Sequence, residues 1–169
     1  SIDRNAMIRG LYGGAAFPLN GVVTPGMPGF NPNLPELKFD PERAKKLMAE
    51  AGYPGGKGLP PVDISSTEAF KDEITYYANQ FNRVLGMPVN VKTVERATFI
   101  RAMNAGEVAF FPWGWTADYT DAAYYLSQMW YGPSPYNRPR WKNAEYDKLI
   151  DEALTVADDD KRYALYHKA

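Results

Sequence analysis

The chain has no cysteine and only one histidine, His167. Without thiols there are no disulfides, no thiol nucleophile and no Cys-ligated metal. A histidine metal site or a Ser-His-Asp triad would rest on His167 alone, which sits in a helical pattern expected at the surface, so neither is expected. No run of apolar residues is long enough to cross a bilayer, so membrane insertion by this segment is not expected. An excess of one charge is missing too. Nineteen basic and twenty acidic side chains give a net charge of −1, which removes any bulk electrostatic reason to bind nucleic acid or an anionic membrane. The one local basic run, RPRWK at 138–142, is short and reads as a solvated loop.

What is present is apolar surface. The 169 residues are 45% hydrophobic and 14% aromatic, enough for a core in a domain of ordinary size. Both ends, SIDRNAMIRGLYGG and DKRYALYHKA, run inside helix-like patterns, so the chain is expected to be a piece of a longer protein.

Helix signals are clear in several places. Asp3 suits the N-cap of a helix over 3–11, with Ile8 and Leu11 on one face. The segment GGAAFPLNGVVTPGMPGFNPNLPELKF has no helical period and reads as a long Gly/Pro-rich loop that needs a surface to lie on or is functional. In DPERAKKLMAEAGYP, Asp40 is the N-cap, Pro41 occupies the first helical position and Glu42 complements the dipole. Ala44, Leu47, Met48 and Ala51 form its apolar stripe, and Gly52 follows as the terminator.

Next come a strand, PVDISST at 61–67, and a helix over 70–85 with Ile74, Tyr77, Ala78, Phe81, Val84 and Leu85 inward, closed by Gly86. A second strand, PVNVKTVE at 88–95, leads to a short helix with Phe99, Ile100 and Met103, then a third strand-like run, VAFFPWGW at 108–115. The order β-α-β-α-β with short connections predicts an α/β fold with a parallel core sheet and right-handed crossovers. Pro112 cannot donate to a ladder, so the third strand should be an edge there or end near it. The remainder is expected to be helical: 121–131, 143–157 with Asn143 as N-cap, and a last helix from about Asp159. The DDD run at 158–160 reads as a turn and helix start, because three consecutive side chains do not converge on one ion.

Parallel sheets bind ligands beyond the carboxyl ends of their strands. The third run leads straight into Thr116, Ala117 and Asp118, which puts a carboxylate where a ligand is expected. The alternative is that Asp118 merely caps the following helix, although Thr120 and Asp121 are better placed for that. Trp113 and Trp115 share one face by spacing, and each is either core or ligand wall. Three chemistries compete for such a loop. Glycosidase-type hydrolysis by Asp118 and Asp121 requires opposed carboxylates, which one short loop makes hard. Phosphate cradling lacks a Walker motif, and GYPGGKG at 52–58 has neither the spacing nor the trailing Ser/Thr. A cation site suits one carboxylate walled by aromatic rings.

These pieces, taken in order, resemble solute-binding protein family 5, the oligopeptide- and dipeptide-binding components of ABC transporters. The resemblance rests on the SIDR helix, FDPERAKKLMAEAGYPGG, QFNRVLGMPVNVKTVE, GWTADYTDAAYYL and WKNAEYDKLIDEAL followed by DDDKRYALYHKA. It implies a periplasmic-binding-protein type II lobe, with residues 1–169 forming a single α/β lobe of a longer two-lobed protein. It implies a non-enzymatic binding subunit without cofactor or metal, periplasmic or extracellular, whose partners are a peptide or other small solute, the permease subunits and the second lobe of the same polypeptide.

In peptide-binding members a Trp-x-x-Asp element supplies the aspartate for the peptide α-ammonium. Here it falls on Trp115-Thr116-Ala117-Asp118. By the same resemblance, Trp115 lines a side-chain pocket, the backbone at Thr116 and Ala117 bonds the extended peptide, and Trp113 stays a candidate wall. Two departures stand out. Asp121-Ala122 replaces a frequent Asp-Pro, a variation expected to be benign. No basic residue stands between Glu107 and Arg138 to take a peptide carboxylate. The family also includes binders of nickel complexes, sugars and other solutes, which is the alternative reading.

Overall fold

A computed structural model of the chain describes residues 1–169. They divide into two compact units: residues 1–18 with 37–113, and residues 19–36 with 114–169.

The first unit is α/β. Helix α1 (Arg4–Tyr12) starts at Asp3, whose side chain accepts from the Ala6 N–H, and stops at Gly13 in the left-handed region. Helix α2 (Pro41–Glu50) has the expected cap, Asp40 accepting from the Arg43 N–H, with Pro41 at its first turn. No residue of α2 is buried, and Leu47 of its apolar stripe is 54% exposed. Strand β1 (Val62–Ser66) and strand β2 (Val89–Thr93) pair in parallel, with Ile64 opposite Val91. The connecting helix α3 (Lys71–Leu85) buries Ile74, Ala78, Val84 and Leu85 and ends at Gly86, as the pattern predicts. Helix α4 (Arg96–Ala105), capped by Glu95, adds Phe99 and Met103 to the same core. The sheet's other face is polar: the exposed Asp63 accepts from Asn90 (2.9 Å) and from the Lys92 ammonium.

The expected third strand does not form. Residues 108–115 contribute one main-chain rung, from the Ser65 N–H to the Phe110 carbonyl at 3.0 Å. In a parallel ladder the next rung would run from the N–H two residues on, at position 112, back to the Ser65 carbonyl. Proline has no N–H, so the ladder stops after one bond. The sheet is therefore two-stranded.

The second unit is helical. Helix α5 (Ala122–Tyr125) runs into a π-helical turn (Leu126–Trp130), which together occupy the single helix expected over 121–131. Helix α6 (Ala144–Thr155) is capped by Asn143 and helix α7 (Asp159–Lys168) by Asp158, so the acidic run is a helix start. Ala122, Leu126, Tyr146, Ile150, Ala153 and Tyr166 form the core. The long loop has its surface: Val22 and Val23 pack on this core, and the Ala122 N–H donates to the Pro28 carbonyl at 3.0 Å. Gly29 is required at this contact, since its φ is +83° and a Cβ would lie 2.6 Å from that of Ala122.

Candidate functional site

Asp118 lies in the bend that links the irregular segment 111–117 to α5, and it is exposed. The Tyr124 hydroxyl donates to its Oδ2 at 2.6 Å. Tyr124 is nearly buried on α5, so this bond ties the carboxylate to a packed helix while leaving it open to solvent. The bond also raises the Tyr124 pKa, because losing the phenolic proton would set a second negative charge against Asp118; the Trp115 indole acts weakly in the opposite sense.

Aromatic rings gather around this pair. Trp115 lies 6.3 Å from Tyr124 and 5.3 Å from Tyr136, centroid to centroid, and Tyr119 meets Tyr124 edge-on at 4.9 Å. The Arg138 guanidinium sits 5.5 Å from the Trp115 ring centre and 5.7 Å from that of Tyr136. Burial lowers the Arg138 pKa from its ordinary value. Reading RPRWK as wholly solvated therefore needs correction. Residues 139–142 are exposed, but Arg138 is half-buried on two rings, because an aromatic face can desolvate a guanidinium while still stabilising its charge.

Of the candidate residues, the structure groups Trp115, Thr116, Ala117 and Asp118 in the second unit. Thr116 is exposed and Ala117 half-buried, and no other main-chain carbonyl accepts from their N–H groups. Trp113 is the last residue of the first unit, half-buried, with its ring 6.3 Å from Phe99, the packing of a core aromatic. Tyr124, Tyr136 and Arg138 were not among the sequence candidates. The only available signal was the aromatic density of 119–136, which does not say which rings meet.

Asp121 has a different job. It caps α5 through the Ala123 N–H at 2.8 Å and pairs with Arg162 at 2.9 Å, with Tyr163 at 3.5 Å. Its oxygens are committed to structure, which removes the second carboxylate that a hydrolytic pair would need.

The family model for bacterial extracellular solute-binding proteins, family 5 Middle, matches residues 1–137. The chain is similar to heme-binding protein A of Haemophilus influenzae, 30% identical over 176 aligned residues that span 100% of this chain and 32% of that protein. It is 35% identical to the periplasmic oligopeptide-binding protein OppA of Salmonella typhimurium over 130 residues, covering 76% of this chain and 24% of the relative. Among solved structures, the Helicobacter pylori periplasmic binding protein DppA in complex with the peptide STSA superposes with a TM-score of 0.88 at 26% identity, over 99% of this chain and 33% of that one. Where it aligns end to end, the chain thus spans about a third of the length of its curated relatives.

Proposed function

Because this chain belongs to the family 5 bacterial extracellular solute-binding proteins, a family of binders rather than enzymes, we propose that it is one lobe of a peptide-binding subunit of an ABC importer. In this reading residues 1–169 form a single lobe that works against a second lobe of the same polypeptide, delivers its solute to permease subunits and acts in the periplasm or outside the cell. Asp118 pairs with the α-ammonium of the peptide. Trp115 walls a side-chain pocket, and the main chain at Thr116 and Ala117 bonds an extended ligand as a neighbouring strand would.

The observation that supports this most is the Asp118 carboxylate, open to solvent yet anchored by Tyr124 among aromatic rings. A ligand covering this carboxylate would bury the ion pair, and removing one partner of a buried pair costs about 3–5 kcal/mol. In the full-length protein, Asp118→Asn is expected to weaken peptide binding by roughly 10²–10³-fold. Calorimetry with trialanine and its N-acetylated form tests it: acetylation should weaken binding to the parent protein and change little for the Asn variant. Equal affinity of parent and variant for trialanine refutes the ammonium role.

The second reading is a non-peptide solute. It is favoured by the relative named for heme binding and by the ring cluster, which offers flat apolar surface. Native mass spectrometry of the full-length protein with its natural ligand separates the two.

A further inference from the structure

The proposed function gives Arg138 no task, although its guanidinium stands against Trp115, taken there as the wall of a side-chain pocket. The indole therefore has ring neighbours that carry opposite charges. Tyr124 holds the Asp118 carboxylate at 2.6 Å, while Tyr136, 5.3 Å from Trp115, shares the Arg138 guanidinium.

The loop that carries Arg138 is built to hold it. Asn137 beside it is only 8% exposed, and its Nδ2 donates to the Trp141 carbonyl at 2.7 Å. Main-chain turns close around the same position, from the Arg138 N–H to the Tyr136 carbonyl at 2.8 Å and from the Arg140 N–H to the Asn137 carbonyl at 3.0 Å. A long side chain held in this way has already lost much of the rotamer freedom that a ligand would otherwise have to remove.

Stacking on rings uses the faces of a guanidinium and leaves the N–H donors at its edge, the geometry that meets a carboxylate in paired hydrogen bonds. Burial works against the charge of Arg138, and a carboxylate arriving there offsets that cost. A cationic side chain at the same place is repelled, and a neutral one leaves the cost standing. We propose that Arg138 determines specificity: the Trp115 pocket takes an acidic side chain of the peptide, Asp or Glu, with its carboxylate on the Arg138 guanidinium and its methylene stem against the indole. The inference rests on the peptide reading. The ligand's C-terminal carboxylate is the competing source of the same group.

Calorimetry with the full-length protein tests it. Glu-Ala-Ala and Ala-Glu-Ala are each compared with the peptides that carry Gln or Lys instead of Glu, which keeps length and both termini constant. Glu at one of these positions is expected to bind roughly tenfold tighter than Gln, and Lys more weakly than Gln. Arg138→Gln should remove the Glu advantage; Arg138→Lys, a second variant that keeps the charge, should retain part of it. Equal affinity for Glu and Gln peptides at both positions in the parent, which needs no variant, overturns the proposal, as does a Glu advantage that survives Arg138→Gln. An Arg138-dependent loss on amidating the C-terminus of trialanine, with no Glu advantage, also overturns it and assigns the guanidinium to the other carboxylate. Each of these failures leaves the parent's preference for trialanine over its N-acetylated form untouched, so it is distinct from a failure of the Asp118 assignment. A protein that binds none of these peptides refutes both.

Discussion

The two carboxylates in ADYTD should separate cleanly under mutation, and Asp121 is the sharper case. Asp121→Ala removes an N-cap bond of 2.8 Å and an ion pair of 2.9 Å whose side chains are 18% and 22% exposed. Loss of an N-cap costs about 1 kcal/mol. The pair lies between the exposed case, about 0–1 kcal/mol, and the buried one, about 3–5 kcal/mol. Arg162 retains a second partner, Asp159 at 2.9 Å, which holds this loss to about 1–2 kcal/mol. Both losses act through one side chain and are not strictly additive, so the total is about 2–3 kcal/mol, or roughly 5–10 °C in Tm for a domain of this size. Asp121→Asn keeps a good cap and loses only the charge, at about 1–2 kcal/mol. Thermal unfolding of parent, Asn and Ala variants followed by tryptophan fluorescence checks the order. An Asn variant as damaged as Ala, or both within about 0.5 kcal/mol of the parent, refutes the cap and ion-pair roles of Asp121.

Three further outcomes follow from other parts of the structure. Gly29→Ala places a methyl 2.6 Å from the Ala122 Cβ at a φ of +83°, so it should cost more than about 2 kcal/mol in a urea titration. Tyr146→Phe leaves the buried Leu126 carbonyl without its 2.8 Å donor and should cost about 1–2 kcal/mol in the same assay. The Asp63 pKa is lowered, first by its bond to Lys92 and then by that to Asn90. A depressed carboxylate contributes stability above its unfolded pKa and loses it as pH falls through the folded value. An NMR titration of Asp63 should therefore show a midpoint below the ordinary carboxylate range, moving up in Lys92→Met; a midpoint unmoved by that change contradicts the assignment.

Elements whose signals are local were legible in the sequence. Asp3, Asp40 and Asn143 each precede a helix by one residue and accept from its first turn, so the caps could be read without knowing the tertiary fold. Periodicity is weaker evidence, because it identifies a helix face without saying what covers it. Leu47 illustrates this, apolar in the stripe of α2 and yet mostly exposed. The third strand shows the opposite failure. Its composition favours a strand, but one missing N–H at Pro112 ends the ladder. The grouping of Trp115 with Asp118 was legible because the two lie three residues apart in the chain. Tyr124, Tyr136 and Arg138 arrive from α5 and from the loop before α6, and no spacing rule brings them to Trp115. Arg138 was further disguised by its basic neighbours, which do remain in water.

The position of Arg138 also changes how a cation could be recognised here. The sequence suggested aromatic walls around a carboxylate, with cation–π contact and charge pairing acting together on an incoming ammonium. In the structure a guanidinium already lies against Trp115 and Tyr136. A ligand ammonium meeting the same rings would bring a second positive charge close to the first, a repulsion that half-burial makes larger than it would be in water. Asp118 and its Tyr124 anchor must therefore carry the attraction in the proposed function, while Trp115 contributes apolar wall. Arg138→Ala separates the two contributions: it should leave the requirement for a free α-ammonium intact and alter the preference for the side chain packed on Trp115. If calorimetry with the same two peptides shows instead that the variant no longer distinguishes trialanine from its N-acetylated form, the division of labour argued here is wrong.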